Sequence, residues 1–194
     1  MKITHPLIHI AFNWAIELSS IVIFWVAFNY YGLMSAIFWS LVATVVVVLL
    51  SMIVQRRCPI FPLVMCILVV SFGSYSLITD EPTAFIFQHT IYYGAGGLIL
   101  IIGLLNEKIL LKPMFDNLFA LTDRGWITLT RRWAILFLLL ALGNEWVWRT
   151  MSESAWATYK MGMTFTIMLF GLWQFRVSRR ERLPEASRWG FKVH

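Results

Sequence analysis

Six apolar runs, each close to the length that crosses a bilayer, divide this chain, and most charged residues fall between them. The runs cover about 7–31, 33–54, 60–78, 85–105, 129–148 and 155–175. At 1.5 Å rise per residue, about 20 helical residues span ~30 Å of hydrocarbon. A backbone in lipid must satisfy its own N–H and C=O groups, so the runs predict helices. Composition agrees: 59% of residues are hydrophobic and 13% charged, against about 45–50% apolar in soluble domains. The expected fold is all-α, a polytopic transmembrane bundle of about six spans forming a single integral membrane domain over 1–194. A basic tail, 176–194, follows the last span.

Charge sets the orientation. Lys2 precedes the first run, Arg56 and Arg57 follow the second, and Asp80 and Glu81 follow the third. The fourth connection carries Lys108, Lys112, Arg124, Arg131 and Arg132, and the fifth only Arg149 and Glu153. With six spans, the positive-inside rule places both termini in the cytoplasm. The net charge of +6 is therefore read as topology, not as nucleic-acid binding. The N-terminus lacks the basic flank and cleavage site of a signal peptide. Cys58 and Cys66 form no CxxC pair and read as inert thiols.

The segment 106–127 is more than a loop. Met114, Phe115, Leu118 and Phe119 follow helical spacing, and Pro113 suits a first helical turn. They predict a short amphipathic helix in the cytoplasmic interface before the fifth span.

Ionisable residues in apolar runs are costly, so they mark structure or function. Glu145 and Arg149 share a helix face. Taking Ser152 as the turn centre, Glu145 and Lys160 lie at similar depth, ~11 Å from it. The favoured reading is a Glu145–Lys160 ion pair that fixes the last hairpin, with Arg149 reaching the surface. The alternative is a proton or ion relay. His9, Asn13 and Glu17 form one stripe at i, i+4, i+8, read as hydrogen bonding between helices because it offers too few ligands for zinc. Gly94, Ala95, Gly96, Gly97 and Gly103 in the fourth run, with Ser71, Gly73, Ser74 and Ser76 in the third, mark close helix contact. That contact is read as intramolecular in preference to a dimer interface. Trp126, Trp133, Trp146, Trp148 and Trp156 near span ends predict an aromatic belt. The tail 176–192 suits anionic headgroups, with a plain stop-transfer flank and mobile tail as the alternative.

No phosphate-binding loop, nucleophile elbow, zinc-protease motif or dinucleotide fingerprint occurs in the sequence. No catalytic residue, cofactor or metal site is expected. One series of residues is specific: Leu121-Thr122-Asp123-x-Gly125-Trp126-x-x-Leu129-Thr130-x-Arg132-Trp133, then Asn144-Glu145-x-Val147-Trp148-Arg149-Thr150-x-Ser152, then Trp156-x-x-x-Lys160. In order and spacing it resembles the intracellular septation protein A family, small inner-membrane proteins of Gram-negative bacteria. Weaker similarity includes Glu17-Leu18 and Phe72-Gly73, so the likeness covers about 17–170. The chain departs from the family pattern at Ser20, Asn29 and Gln88. The resemblance implies a non-enzymatic role in septation and envelope maintenance, as scaffold or membrane-homeostasis factor. It also implies contacts with division or elongation machinery; self-association stays open. The competing expectation is a small transporter or lipid-handling protein using Glu17, Glu145 and Lys160.

Overall fold

A computed structural model describes residues 6–55 and 60–192, and side chains at 21–50, 52–53 and 63–192. Among these the structure is all helical: α1 (Pro6–Gln55), α2 (Ile60–Thr79), α3 (Thr83–Leu105), α4 (Lys112–Phe115), α5 (Asp123–Thr150) and α6 (Glu153–Arg180). Three described stretches are long and apolar enough to cross a membrane: Ile21–Leu50, Thr83–Leu105 and Asp123–Thr150, with Leu63–Thr79 a shorter apolar helix. The chain divides into two compact units, 1–89 and 90–194.

In the first unit, α1 is broken at Gly32, whose φ of 81° and ψ of −178° are not helical. The break falls between the first two expected spans. That backbone region is essentially reserved for glycine. Nothing lies within 4 Å of where a Cβ would stand, so a side chain there meets strain and no clash. Gly32→Ala is expected to destabilise the break in α1 by about 1–3 kcal/mol without disturbing packing, read as a lower melting temperature in detergent.

Beyond the break, Leu33, Ala36, Ile37, Ser40 and Leu41 are buried along one face of α1. On α2, Gly73 admits Leu41 so closely that a Cβ would fall 2.5 Å from its Cδ2. Gly73 thus marks the close contact its size predicts, whereas Ser71 is exposed. Ser76, fully buried, accepts a hydrogen bond from the Phe85 backbone N–H at 2.9 Å. It thereby satisfies a first-turn donor of α3 across the turn at Asp80.

The second unit holds the rest of α3, with α4, α5, α6 and the tail. The glycines of α3 seat α5: Gly94 faces Ala141, Gly96 faces Phe137, and Gly97 lies against Leu138 and the Ala134 carbonyl. Of the expected small-residue contacts, Gly94, Gly96 and Gly97 pack on α5, whereas Ala95 is exposed and Gly103 lies against Leu110 and the Lys108 carbonyl beyond the helix. One apolar cluster joins Leu136 and Leu140 of α5 to Met163 of α6, with Tyr93, Trp133, Tyr159 and Phe170 around it. A second joins Leu111, Leu121, Trp126, Leu129 and Val177.

The expected interfacial helix is a single turn, Lys112–Phe115, with Pro113 at its start. Leu118 and Phe119 lie beyond it, because the chain extends to pair with the tail. The Lys192 N–H donates to the Leu118 carbonyl, the Ala120 N–H to the Gly190 carbonyl, and the Leu183 N–H to the Ala120 carbonyl. Residues 181–192 are therefore folded back, not a mobile tail, and Arg176, Arg179 and Arg180 belong to α6. Gly190, at φ 83°, makes the return possible: a Cβ there would meet the Ser178 carbonyl at 2.8 Å.

Candidate functional site

The polar residues of the specific sequence series collect at the two ends of the α5–α6 hairpin. At one end, α5 stops at Thr150 and α6 begins at Glu153, with Ser152 capping the new helix through the Ala155 N–H. The tight turn brings Asn144 and Trp156 together. The Trp156 indole N–H donates to Asn144 Oδ1 at 3.0 Å, and Asn144 Nδ2 donates to Thr90 Oγ1 at 2.9 Å. The Thr90 hydroxyl in turn donates to Glu145 Oε1 at 2.5 Å, and Arg149 Nε donates to Glu145 Oε2 at 2.7 Å. Every donor in this chain meets an acceptor, so the network has one consistent direction from Trp156 to Glu145. Asn144 is 0% exposed and Trp156 1% exposed, placing two of its members out of water.

This geometry corrects the ion pair expected from depth alone. Both Glu145 oxygens are taken by Thr90 and Arg149, and Lys160 is not a partner of the carboxylate. Arg149 stands one helical turn along the same face. Lys160 instead places its ammonium 5.8 Å from the Trp156 ring centroid, one turn back on its own helix. Arg149 also covers the Trp148 ring at 4.5 Å. The Trp148 indole nitrogen is buried without a hydrogen-bond partner among the described residues. Tyr159 completes the hairpin by donating to the Leu140 carbonyl at 2.8 Å, over Gly143.

At the other end, Thr122 caps α5 by accepting from the Gly125 N–H at 3.1 Å, and its hydroxyl donates to Glu181 Oε2 at 3.1 Å. Gly125 is required by proximity: a Cβ would lie 2.7 Å from the Glu181 Cβ. Asp123 pairs with Lys112 at 2.7 Å, both well exposed, a link worth about 0–1 kcal/mol. Trp126 is buried beneath the tail. Arg132 donates to Gln174 Oε1 at 3.3 Å and lies 4.6 Å over the Trp173 ring. Trp133 packs edge-on against Phe170 at 5.0 Å.

The aromatic-belt expectation is thus corrected for Trp126 and Trp156, which are core residues, and fits the exposed Trp146. The side chains of His9, Asn13 and Glu17 lie outside the described residues, as does Cys58. Thr90, Tyr159 and Glu181 complete the two clusters and were missed, while Thr122 stood in the specific series without an assigned role. Thr90 carried a signal, being a polar residue beside the glycine-rich part of an apolar run.

A family model described as intracellular septation protein A matches residues 12–183. The chain belongs to that family. The match covers both hairpin ends, so the residues of the two clusters lie inside it. Among curated relatives, "Inner membrane-spanning protein YciB" of Nitrobacter hamburgensis is 35% identical over 187 residues, covering 96% of this chain and 92% of the relative. The protein of the same name from Afipia carboxidovorans is 33% identical over the same shares. That of Brucella anthropi is 37% identical over 147 residues, covering 75% of this chain and 67% of the relative. No solved structure matches the chain significantly.

Proposed function

We propose that this chain is a multi-pass inner-membrane protein with cytoplasmic termini, acting without catalysis as a scaffold or homeostasis factor in septation and envelope maintenance. The observation that carries the reading is the use made of the polar side chains. Thr90, Asn144, Glu145, Arg149 and Trp156 bind one another and hold helices together. A substrate site instead needs polar groups converging on open space. Family membership supports the septation role, and the printed name of the relatives supports the membrane. Partners on this reading are anionic lipids at the cytoplasmic face and division or elongation proteins, or further copies of the chain.

The test is photo-crosslinking in living cells. Trp156 is buried, so the probe belongs at the exposed Trp146 and at Arg188. Specific adducts with division or elongation proteins are expected, and a reporter fused after residue 194 is expected to read as cytoplasmic. Adducts with lipid alone, together with solute flux in liposomes that Glu145→Gln abolishes, would replace the scaffold with a transporter.

A further inference from the structure

The docked tail creates a cavity. It has a volume of about 470 Å³, is partly open to the surface, and is bordered by the 112–121 segment, the first turn of α5 and residues 183–192. That is within the ~300–1,000 Å³ range of small-molecule sites. Its apolar wall comes from Leu121, Trp126 and Leu183. Its charged lining is of both signs: Lys112 and Lys192 against Asp116 and Glu185.

These charges do not neutralise one another. Lys112 is held by Asp123, outside the lining. Asp116, Glu185 and Lys192 form no ion pair among the described residues. Unpaired carboxylates and an unpaired ammonium thus border one space while staying beyond salt-bridge distance. A ligand of single charge would satisfy one side and leave the other facing a like charge. A ligand carrying a cation and an anion a few bonds apart satisfies both. On the same segment Met114, Phe115 and Leu118 are exposed apolar side chains, which suit attached hydrocarbon.

We propose that this cavity binds a zwitterionic phosphodiester with a primary ammonium, as in an ethanolamine phospholipid headgroup. Lys192, with the remaining donors of Lys112, takes the phosphate; Asp116 and Glu185 take the ammonium. A primary ammonium donates three hydrogen bonds to carboxylates, whereas a trimethylated one donates none and is bulkier. The carboxylates therefore select ethanolamine over choline, and the pair of signs selects either over a glycerol headgroup.

The experiment uses the full chain in detergent, stripped of lipid. Phosphatidylethanolamine, phosphatidylcholine and phosphatidylglycerol are added in turn, and bound lipid is counted by native mass spectrometry. Ethanolamine lipid is expected to bind at least about tenfold more tightly than the other two, the equivalent of ~1.4 kcal/mol. The double change Asp116→Asn with Glu185→Gln should abolish the preference for ethanolamine over choline. Lys192→Gln should weaken both. Glu185 and Lys192 are exposed and Asp116 is half-buried, so the variants should fold; an unchanged melting temperature checks this. Soluble glycerophosphoethanolamine is the second arm. Competition by it at similar concentration makes the source a free phosphodiester, and failure to compete makes it the lipid. Equal retention of all three lipids, or a double variant that keeps the ethanolamine preference, would overturn the assignment.

Discussion

Replacing Asn144 with leucine is expected to destabilise the protein by about 2–4 kcal/mol, because a buried donor left without an acceptor costs ~1–3 kcal/mol and a second bond is lost with it. Asn144, like Thr90, uses both an acceptor and a donor in the network, and it is the member bonded to Trp156. Leucine has the same number of side-chain heavy atoms branched at the same carbon, but its greater volume adds some overpacking to the polar loss. The Trp156 N–H would then be buried with nothing to meet, at a site closed to water. Interhelical hydrogen bonds in membranes average only ~0.6 kcal/mol, since the separated helices find other partners. A cost near that lower figure would mean that the separated helices satisfy these groups elsewhere. The measurement is unfolding of purified protein in mixed micelles, for Asn144→Leu, Trp156→Phe and the pair. The double variant should lose clearly less than the sum, by about 0.5–3 kcal/mol, because both changes break one bond. Strict additivity would sink the assignment. Arg149→Met should cost less than either, since its side chain is 59% exposed and salt screens it.

The sequence revealed the helices because hydrocarbon allows one solution for a long apolar run; their ends fall within about six residues of those expected, and three described stretches are long and apolar enough to cross a membrane. The break at Gly32 falls at the one residue left between the first two apolar runs, and its backbone conformation is one that glycine allows. The partners of Glu145 were not legible. Depth along a helix can be counted from the sequence, but direction around it depends on how helices rotate against each other. Lys160 stands at the right depth and reaches Trp156 instead. Thr90 reaches the carboxylate from a helix more than fifty residues away in the chain, a distance no local spacing encodes. Burial of Trp126 and Trp156 was hidden likewise. A tryptophan near a span end sits in the belt only when it faces lipid, and these two face neighbouring helices. The docked tail was masked by composition, because its arginines read as a stop-transfer flank. What orders it is a backbone ladder to 118–122, with Gly190 at the return and Phe191 stacked on Phe119, none of which charge or hydropathy reveals.

The largest effect expected from a single substitution that replaces a glycine hydrogen with an isobutyl group lies on α3. Gly97→Leu should cost at least about 3 kcal/mol, the upper end of the range for overpacking a well-filled core. A Cβ at this position would already stand 2.8 Å from Leu138 Cγ and 3.0 Å from the Ala134 carbonyl oxygen. Leu138 could change rotamer, but the carbonyl belongs to the α5 backbone and moves only with the helix. Displacing α5 would separate Thr90 from Asn144 and Glu145, because those hydrogen bonds also run between α3 and α5. The packing loss and the polar loss are thus coupled through one rigid element. Gly97→Ala should give a smaller loss and keep the network, while Gly97→Leu should lose both. A distance measurement between spin labels on α3 and α5 would report the separation directly. Gly96→Ala is the control: its Cβ would rest 3.5 Å from the Phe137 ring, an ordinary contact, and little change is expected. If Gly96→Ala and Gly97→Ala proved equally mild and Gly97→Leu left the α3–α5 distance unchanged, close backbone approach would not be what seats these helices.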